Sequence, residues 1–326
     1  MDMTTSPWDW ILTVAGLLFA LISGTNDGAT LLAVGVKVSR MPLLLAIVIL
    51  TSAVVVAPLL IGTRVAATFL DRLVAFDEHL AVSTLVGVTG ALATVAFLAW
   101  RGLPTSLTVA TLGALVGAGL GRGLRVHWGT VSVVVLVALV TPAVGFGMAF
   151  VVSRLAMQIE ARGQVSRLLE RIHIGAFGVQ CLAYGVNDGQ KMLAVFVVAA
   201  GAASTGEIKA SLPQLLMIAA FFAMGTLLGL RRYARTVVLN VFPIRPANAV
   251  AAEVAAAASV LGTGLMGSPV STTQTVVTSI IGSGAHEGIR RIRWQSAISI
   301  GWAWLYTFPL TLVLGVIMSR LLGELQ

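Results

Sequence analysis

The chain alternates long apolar stretches with short segments that carry most of its charges. The apolar stretches occupy residues 8–39, 41–61, 80–100, 104–120, 130–153, 172–201, 212–230, 247–264, 268–285 and 296–320. Most of them reach the roughly 20 residues that a helix needs to cross the hydrocarbon core of a bilayer. The pattern therefore predicts an all-α integral membrane protein with about ten membrane elements.

Composition supports a membrane environment. Of the 326 residues, 57% are hydrophobic and only 10% are charged, whereas about a quarter of a soluble globular domain is charged. So few charges cannot cover a water-facing surface, so we expect the lipid bilayer to be the solvent. The single cysteine, Cys181, excludes an intrachain disulfide and a Cys-rich metal site, and the four histidines show no ligand spacing.

The positive charges fall mainly in loops on one side of the predicted membrane elements. They include Lys37, Arg40, Arg101 and a basic central segment, residues 154–171. Loops rich in Lys and Arg face the cytoplasm, which predicts a multi-pass protein with both termini external. The start of the chain, Met1 to Trp10, has no Lys or Arg before the apolar run, so we expect no cleavable signal peptide. The few Lys beside many Arg indicate a prokaryote, and hence its inner membrane. Because orientation accounts for the net charge of +8, we expect no nucleic-acid partner.

The central segment divides the chain into two halves, residues 1–153 and 172–326. Each half has five predicted elements. Because an odd number of membrane crossings ends on the opposite side, the second half enters the membrane from the side opposite to the first. If the halves are homologous, they form two inverted-topology repeats. Many secondary transporters have this organisation, with the binding site between the repeats near the middle of the membrane.

Two motifs recur in both halves in the same order. Gly24–Gly28 and Gly185–Gly189 share the pattern Gly-x-Asn-Asp-Gly, and Gly102–Thr108 and Gly267–Thr273 share Gly-x-Pro-x-Ser-x-Thr. The first motif interrupts an apolar element with glycines and a charge, which predicts broken helices. The second precedes a short apolar stretch, which predicts helical hairpins. The repetition favours homologous halves.

The Gly-x-Asn-Asp-Gly motif, here called the acidic motif, has the chemistry of a cation site. An Asp within a membrane element is costly and marks a functional site by default, although an Asp between glycines can also serve only as a turn or cap. The carboxylates of Asp27 and Asp188 and the amide oxygens of Asn26 and Asn187 are ligands that hard cations such as Na⁺ prefer. Glu253, a third acid in an apolar element, could pair with a neighbour, carry a proton or join a cation site.

The Gly-x-Pro-x-Ser-x-Thr motif, here called the hydroxyl motif, has the chemistry of an anion site. Proline is tolerated in the first turn of a helix, so each motif predicts a helix N-terminus at membrane depth, where backbone N–H groups and the helix dipole favour an anion. The hydroxyls could also bond only to their own helices. Apart from Arg320, the last residue of the last predicted element, no Arg lies in a predicted membrane element, so bound cations must help offset the charge of an anion. The candidate anion-binding hydroxyls are Ser106, Thr108, Ser271, Thr272 and Thr273.

These motifs resemble those of the inorganic phosphate transporter (PiT) family, the sodium- or proton-coupled phosphate permeases. The segment Tyr184–Lys191 and the stretch from Gly267 to Pro309 also resemble that family. The resemblance implies a non-enzymatic symporter that carries inorganic phosphate by alternating access, with Na⁺ favoured over H⁺, no other cofactor and a plausible homodimer. It implies that Asn26, Asp27, Asn187 and Asp188 bind cations and phosphate and that the five hydroxyls contact phosphate.

The sequence departs from the family pattern at several positions. Leu107 replaces a hydroxyl residue, and Val109, Tyr184 and Gln274 stand where the family often has His. These departures leave open another oxyanion, such as sulfate. Lys191, three residues after Asp188, could form an ion pair or contact the anion.

Two further functions fit a membrane protein with paired acids. An ion channel lacks support because no selectivity-filter sequence is present. An intramembrane aspartyl protease would use two Asp residues as a catalytic pair, but it has no use for the preceding asparagines or for the Pro-x-Ser motifs. The sequence therefore favours the transporter.

Overall fold

A computed structural model describes residues 7–39, 41–76, 79–100, 105–160, 166–199, 211–233, 246–292 and 294–323. The regular elements in these ranges are helical, which confirms the predicted all-α class. The first half contains α1 (Pro7–Ser23), α2 (Ala29–Ser39), α3 (Leu43–Ile61), α4 (Arg64–Ala67), α5 (Leu80–Trp100), α6 (Leu107–Gly121) and α7 (Trp128–Glu160). The second half contains α8 (Ser166–Tyr184), α9 (Gln190–Ala199), α10 (Leu212–Tyr233), α11 (Pro246–Leu265), α12 (Thr272–Ala285) and α13 (Trp294–Gly323).

Within the described ranges, seven helical segments are long and apolar enough to cross a membrane, and one of them runs through α1 and α2. Helix α6 is apolar but shorter. The protein is therefore a multi-pass membrane protein, while the count of about ten membrane elements, the two inverted repeats and their residue boundaries stay predictions. The predicted central loop is largely helical where it is described, since α7 extends to Glu160 and α8 begins at Ser166. Residues 154–160 contain mainly Arg, Leu, Ala, Met, Gln and Glu, which favour helix.

The two Gly-x-Asn-Asp-Gly motifs form π-helical turns. The first π turn (Gly24–Gly28) joins α1 to α2, and the second π turn (Gly185–Gly189) joins α8 to α9. The flanking residues Ser23 and Ala29 have right-handed helical dihedrals, so the helix widens at the motif without a gap. The structure thus differs from the interruption that the glycines predict. Single π turns inside α-helices occur frequently at functional sites.

Each π turn packs against a helix of the other half. A Cβ atom added to Gly24 would lie 2.1 Å from the Phe222 carbonyl oxygen of α10, and one added to Gly185 would lie 2.2 Å from the Ala53 carbonyl oxygen of α3. Only glycine permits such close approach of two helix backbones. The glycines that begin the motifs are therefore required by packing between the halves.

The short helices α6 and α12 are held by the same kind of contact. A Cβ atom at Gly117 of α6 would lie 2.2 Å from the Leu312 carbonyl oxygen of α13, and one at Gly282 of α12 would lie 2.2 Å from the Phe146 carbonyl oxygen of α7. Each short helix thus packs on the last helix of the other half. The last helix of each half therefore packs on the short helix of the other half.

The outer helices present apolar side chains to lipid. Helices α3, α7 and α13 are mostly exposed, whereas the α1–α2 segment and α11 are mostly buried. Leu44, Leu139 and Leu305 are examples of large apolar residues on the exposed faces. Apolar faces of this extent are compatible with contact to lipid and unfavourable in water. The buried helices carry the polar motifs into the interior.

Candidate substrate and cation site

Each π turn buries one Asn and one Asp side by side. Asp27 and Asp188 are each only 5% exposed. The Asn26 amide nitrogen Nδ2 donates to Asp27 Oδ1 at 2.7 Å, and Asn187 Nδ2 donates to Asp188 Oδ2 at 2.9 Å. The two motifs therefore form the same local arrangement in both halves.

The hydroxyl motifs begin two buried helices, as predicted. Ser106 precedes α6 and its Oγ accepts from the Val109 backbone N–H at 3.2 Å. Ser271 precedes α12 and accepts from the Gln274 backbone N–H at 3.2 Å. Both serines have extended backbone and act as N-caps. Pro104, which led to the prediction in the first half, lies outside the described residues.

Each π turn is tied to the helix start of its own half by an asparagine. Asn26 Nδ2 donates to the Thr105 carbonyl oxygen at 3.1 Å, and Asn187 Nδ2 donates to the Val270 carbonyl oxygen at 2.7 Å. Thr105 and Val270 stand immediately before Ser106 and Ser271. The asparagines thus bring the acidic motif and the hydroxyl motif together within each half.

Threonines on the two short helices reach the aspartate of the opposite half. Thr273 donates to Asp27 Oδ1, and Thr108 lies 3.4 Å from Asp188 Oδ1 as a donor. Thr272, which has Leu107 as its counterpart, instead donates to Asp188 Oδ2 of its own half. Both motifs from both halves therefore meet at one buried polar cluster, which the sequence could not establish.

Lys191 is part of this cluster. Its Nζ lies 2.8 Å from Asp188 Oδ1, 2.7 Å from Thr108 Oγ1 and 2.8 Å from the Val270 carbonyl oxygen. Of the alternatives left open by the sequence, the structure places this side chain in an ion pair with Asp188. Asp27 differs, since no cationic side chain in the described ranges contacts it.

The two asparagine side chains differ at their oxygen atoms. Asn187 Oδ1 accepts from the Val270 backbone N–H at 3.1 Å. Asn26 is only 1% exposed, and its Oδ1 has no hydrogen-bond partner among the residues that the structure describes. An unpaired buried acceptor is costly, so this oxygen is available to a ligand.

Glu253 lies in a different environment from the two aspartates. Its Oε2 is 3.2 Å from His173 Nε2, and both side chains are buried between α11 and α8. No hydrogen bond or ion pair within the described part of the chain joins Glu253 to Asp27 or Asp188. Its role in a cation site stays a prediction. The sequence had no signal for the His173 partner, because the two residues lie far apart in the chain.

A separate cavity of about 480 Å³ lies beside the helix starts. Val109 and Gln274, two of the positions that depart from the family pattern, both line it together with Trp304 and Phe308. Its other lining side chains are apolar, so it offers an oxyanion few donors. The polar cluster at the two π turns is the better candidate for an anion.

Comparison with known proteins identifies the family. The Phosphate transporter family matches residues 23–167 and 154–315 of this chain. A "Probable low-affinity inorganic phosphate transporter" of Mycobacterium bovis is 32% identical, over 94% of this chain and 75% of that protein. The Bacillus subtilis protein of the same name is 26% identical, over 94% of this chain and 95% of its own length.

A solved structure shows the same fold. "The sodium-dependent phosphate transporter" superposes with a TM-score of 0.83 at 18% sequence identity, covering 98% of this chain and 100% of that one. The relatives are named as transporters, so the protein is not an enzyme, and neither the protease nor the channel alternative gains support. The duplicated motifs, the fold and the similarity over nearly the whole chain lead to one conclusion: the chain belongs to the phosphate transporter family.

Proposed function

We propose that this protein is a symporter that carries inorganic phosphate together with a cation, with Na⁺ favoured over H⁺. The names of the relatives and of the protein that shares its fold support phosphate and Na⁺. The observation that carries the proposal is the buried carboxylate of Asp27, which contacts no cationic side chain in the described ranges and adjoins the unpartnered Asn26 Oδ1. A buried carboxylate that forms no ion pair is costly, so a free cation would stabilise it.

The cation binds at Asp27. Asp27 supplies a carboxylate, Asn26 supplies Oδ1 and Thr273 supplies a hydroxyl oxygen that already contacts Asp27. All three are oxygen ligands, which hard cations prefer. The second carboxylate, Asp188, lies in the equivalent position of the other half and completes the polar cluster.

Phosphate binds between the starts of α6 and α12. The first-turn backbone N–H groups of a helix have no partner within the helix, and the helix dipole there favours an anion. The Oγ atoms of Ser106 and Ser271 accept from their own helices, which leaves each hydroxyl hydrogen available to a phosphate oxygen. Thr108, Thr272 and Thr273 stand on the same first turns.

The threonine hydroxyls couple the two binding events. Thr273 donates its hydrogen to Asp27. When a cation binds Asp27, the hydroxyl oxygen can coordinate that cation while the hydrogen turns to phosphate, because a hydroxyl both accepts and donates. The cation thus offsets the charge of the anion and also frees a donor for it.

Transport follows from the position of the cluster between the halves. Alternating access moves one half against the other around a central site. A site whose carboxylates are neutralised by cations costs less to enclose than a charged one. We further propose the orientation in the inner membrane that the charges predict, with the central segment cytoplasmic and both termini external.

The test is uptake of radiolabelled phosphate into proteoliposomes. The purified protein is compared under an inward Na⁺ gradient, an inward proton gradient and no gradient, with unlabelled sulfate as a competitor. We expect uptake that requires the Na⁺ gradient and that sulfate does not suppress. Uptake driven only by protons would replace Na⁺ with H⁺ as the coupling ion. Absence of phosphate uptake under every gradient would overturn the proposed function.

A further inference from the structure

The ammonium group of Lys191 is fully occupied by oxygen atoms. An ammonium has three N–H donors, and Nζ has three acceptors between 2.7 and 2.8 Å: Thr108 Oγ1, Asp188 Oδ1 and the Val270 carbonyl oxygen. The residue is 4% exposed. A hydroxyl, a carboxylate and a backbone carbonyl are also the oxygen types that coordinate a bare hard cation.

The first half repeats these oxygens without an ammonium. The counterpart of Asp188 is Asp27, and the counterpart of Thr108 is Thr273, which contacts Asp27. The counterpart of the Val270 carbonyl is that of Thr105, which lies beside Asn26. The position equivalent to Lys191, three residues after Asp27, is Thr30.

Thr30 cannot replace the missing positive charge. Its hydroxyl is neutral and donates to the Asn26 carbonyl oxygen at 2.7 Å, within its own helix. The side-chain oxygens of the two asparagines also differ. Asn187 Oδ1 accepts from the Val270 N–H, whereas Asn26 Oδ1 has no partner in the described ranges. In the second half the oxygen atoms are engaged by Lys191 and by the Val270 N–H. In the first half, Asn26 Oδ1 is available to coordinate a cation.

We propose that Lys191 is a tethered cation that fills the second-half cation position, so that a free coupling cation binds only at the first-half position around Asp27. The inference rests on the proposed cation coupling. Its consequence is stoichiometric: a transporter with this lysine takes up one coupling cation fewer per cycle than the same site would without it. Replacement of Lys191 by a neutral side chain opens the second position to a free cation.

The test varies the charge at this position. In Lys191→Met the side chain keeps its length and apolar stem but loses the ammonium, and in the double variant Lys191→Met with Asp188→Asn the second position loses its carboxylate as well. Lys209→Met, in a loop that the sequence places outside the membrane, is the matched lysine control. Phosphate uptake is measured against Na⁺ concentration in proteoliposomes, and the melting temperature of each detergent-purified variant is measured against Na⁺ without phosphate.

The expected results separate the variants. Because a Hill coefficient can rise to the number of coupled sites, we expect about one for the native chain and Lys209→Met and a value approaching about two for Lys191→Met. Lys191→Met should also need more Na⁺ for half-maximal uptake. In the double variant we expect the coefficient to return to about one, because the second position no longer attracts a cation.

Two results would overturn the inference. An unchanged Hill coefficient for Na⁺ in Lys191→Met, together with a raised KM for phosphate, would mean that the ammonium contacts phosphate. Melting temperatures with the same Na⁺ dependence in the native chain, Lys191→Met and the double variant would mean that the second position binds no cation in any of them. The melting experiment needs no transport, so it decides the role of Lys191 even if phosphate proves not to be the cargo.

Discussion

Thr273, on the first turn of α12, donates its hydroxyl hydrogen to the carboxylate of Asp27, which lies 246 residues earlier in the other half of the chain. Thr108 of α6 reaches Asp188 in the same way. Each aspartate therefore accepts one of its hydrogen bonds from a helix start of the opposite half. Any movement of one half against the other would change the surroundings of both carboxylates, as the proposed alternating access requires.

The first prediction concerns the charge at Asp27. Asp27→Asn keeps the shape of the side chain but removes the carboxylate, and a contact with a charged ligand is worth about 1.5–3 kcal/mol, so we expect Na⁺-stimulated phosphate uptake to fall roughly tenfold or more. Uptake is measured in proteoliposomes. Asp71→Asn, an exposed acidic residue, is the matched control and should transport normally. Equal Na⁺ stimulation in Asp27→Asn and the native chain would exclude this carboxylate as the cation site.

The second prediction concerns the coupling hydroxyl. Thr273→Val preserves the volume of the side chain and removes one hydrogen bond worth about 1 kcal/mol, so the apparent KM values for Na⁺ and for phosphate should both rise about fivefold. Thr311→Val is the control, since among the described residues that hydroxyl bonds within its own helix alone, to the Thr307 carbonyl at 2.9 Å and to the Phe308 carbonyl. A change in the phosphate KM alone would show that Thr273 does not link the two ligands.

The third prediction concerns the glycines at the π turns. Gly24→Ala places a Cβ atom against the Phe222 carbonyl of α10, and Gly185→Ala places one against Ala53 of α3. Overpacking of this kind costs about 1–3 kcal/mol, so both variants should melt at lower temperature in detergent. Gly178→Ala in α8, where a Cβ atom meets nothing within 4 Å, should melt like the native chain. Equal melting of all three variants would contradict the packing.

The fourth prediction concerns the buried pair of His173 and Glu253. Because Glu253 lies 3.2 Å from His173 and has no contact with Asp27 or Asp188 in the described ranges, Glu253→Gln should lower the melting temperature and leave the Na⁺ dependence of phosphate uptake unchanged. The two measurements are made on one purified batch. A shifted Na⁺ dependence at native stability would support the prediction from sequence that Glu253 belongs to a cation site.

The fifth prediction concerns the N-caps of the short helices. Ser106→Ala removes the acceptor for the Val109 N–H and Ser271→Ala removes that for the Gln274 N–H, a loss of about 1 kcal/mol of helix stability for each. If the two serine hydroxyls also donate to phosphate, the phosphate KM rises in both variants. Ser106→Gly and Ser271→Gly separate the effects, since glycine is a good N-cap without a hydroxyl: stability should recover while the phosphate KM stays high.

The bounds of the helices were largely predictable because they depend on local pattern. The predicted element 247–264 corresponds to α11 (Pro246–Leu265), and 80–100 corresponds to α5 (Leu80–Trp100). The least accurate boundaries were at the central segment, where charged residues interrupt the apolar pattern but still favour helix. The π turns were not predictable, since the same glycines are compatible with a break or with a wider turn.

The sequence by itself determined the membrane class, the approximate helices, the family resemblance and the residue types of the polar cluster, because the length of apolar runs and the composition of short motifs are local properties. Only the tertiary structure decided which side chains meet. The Thr273–Asp27 contact, the three oxygens around Lys191 and the difference between Asn26 and Asn187 each depend on helices from distant parts of the chain. Packing of those helices, governed by shape and close glycine contacts, is a property of the whole fold.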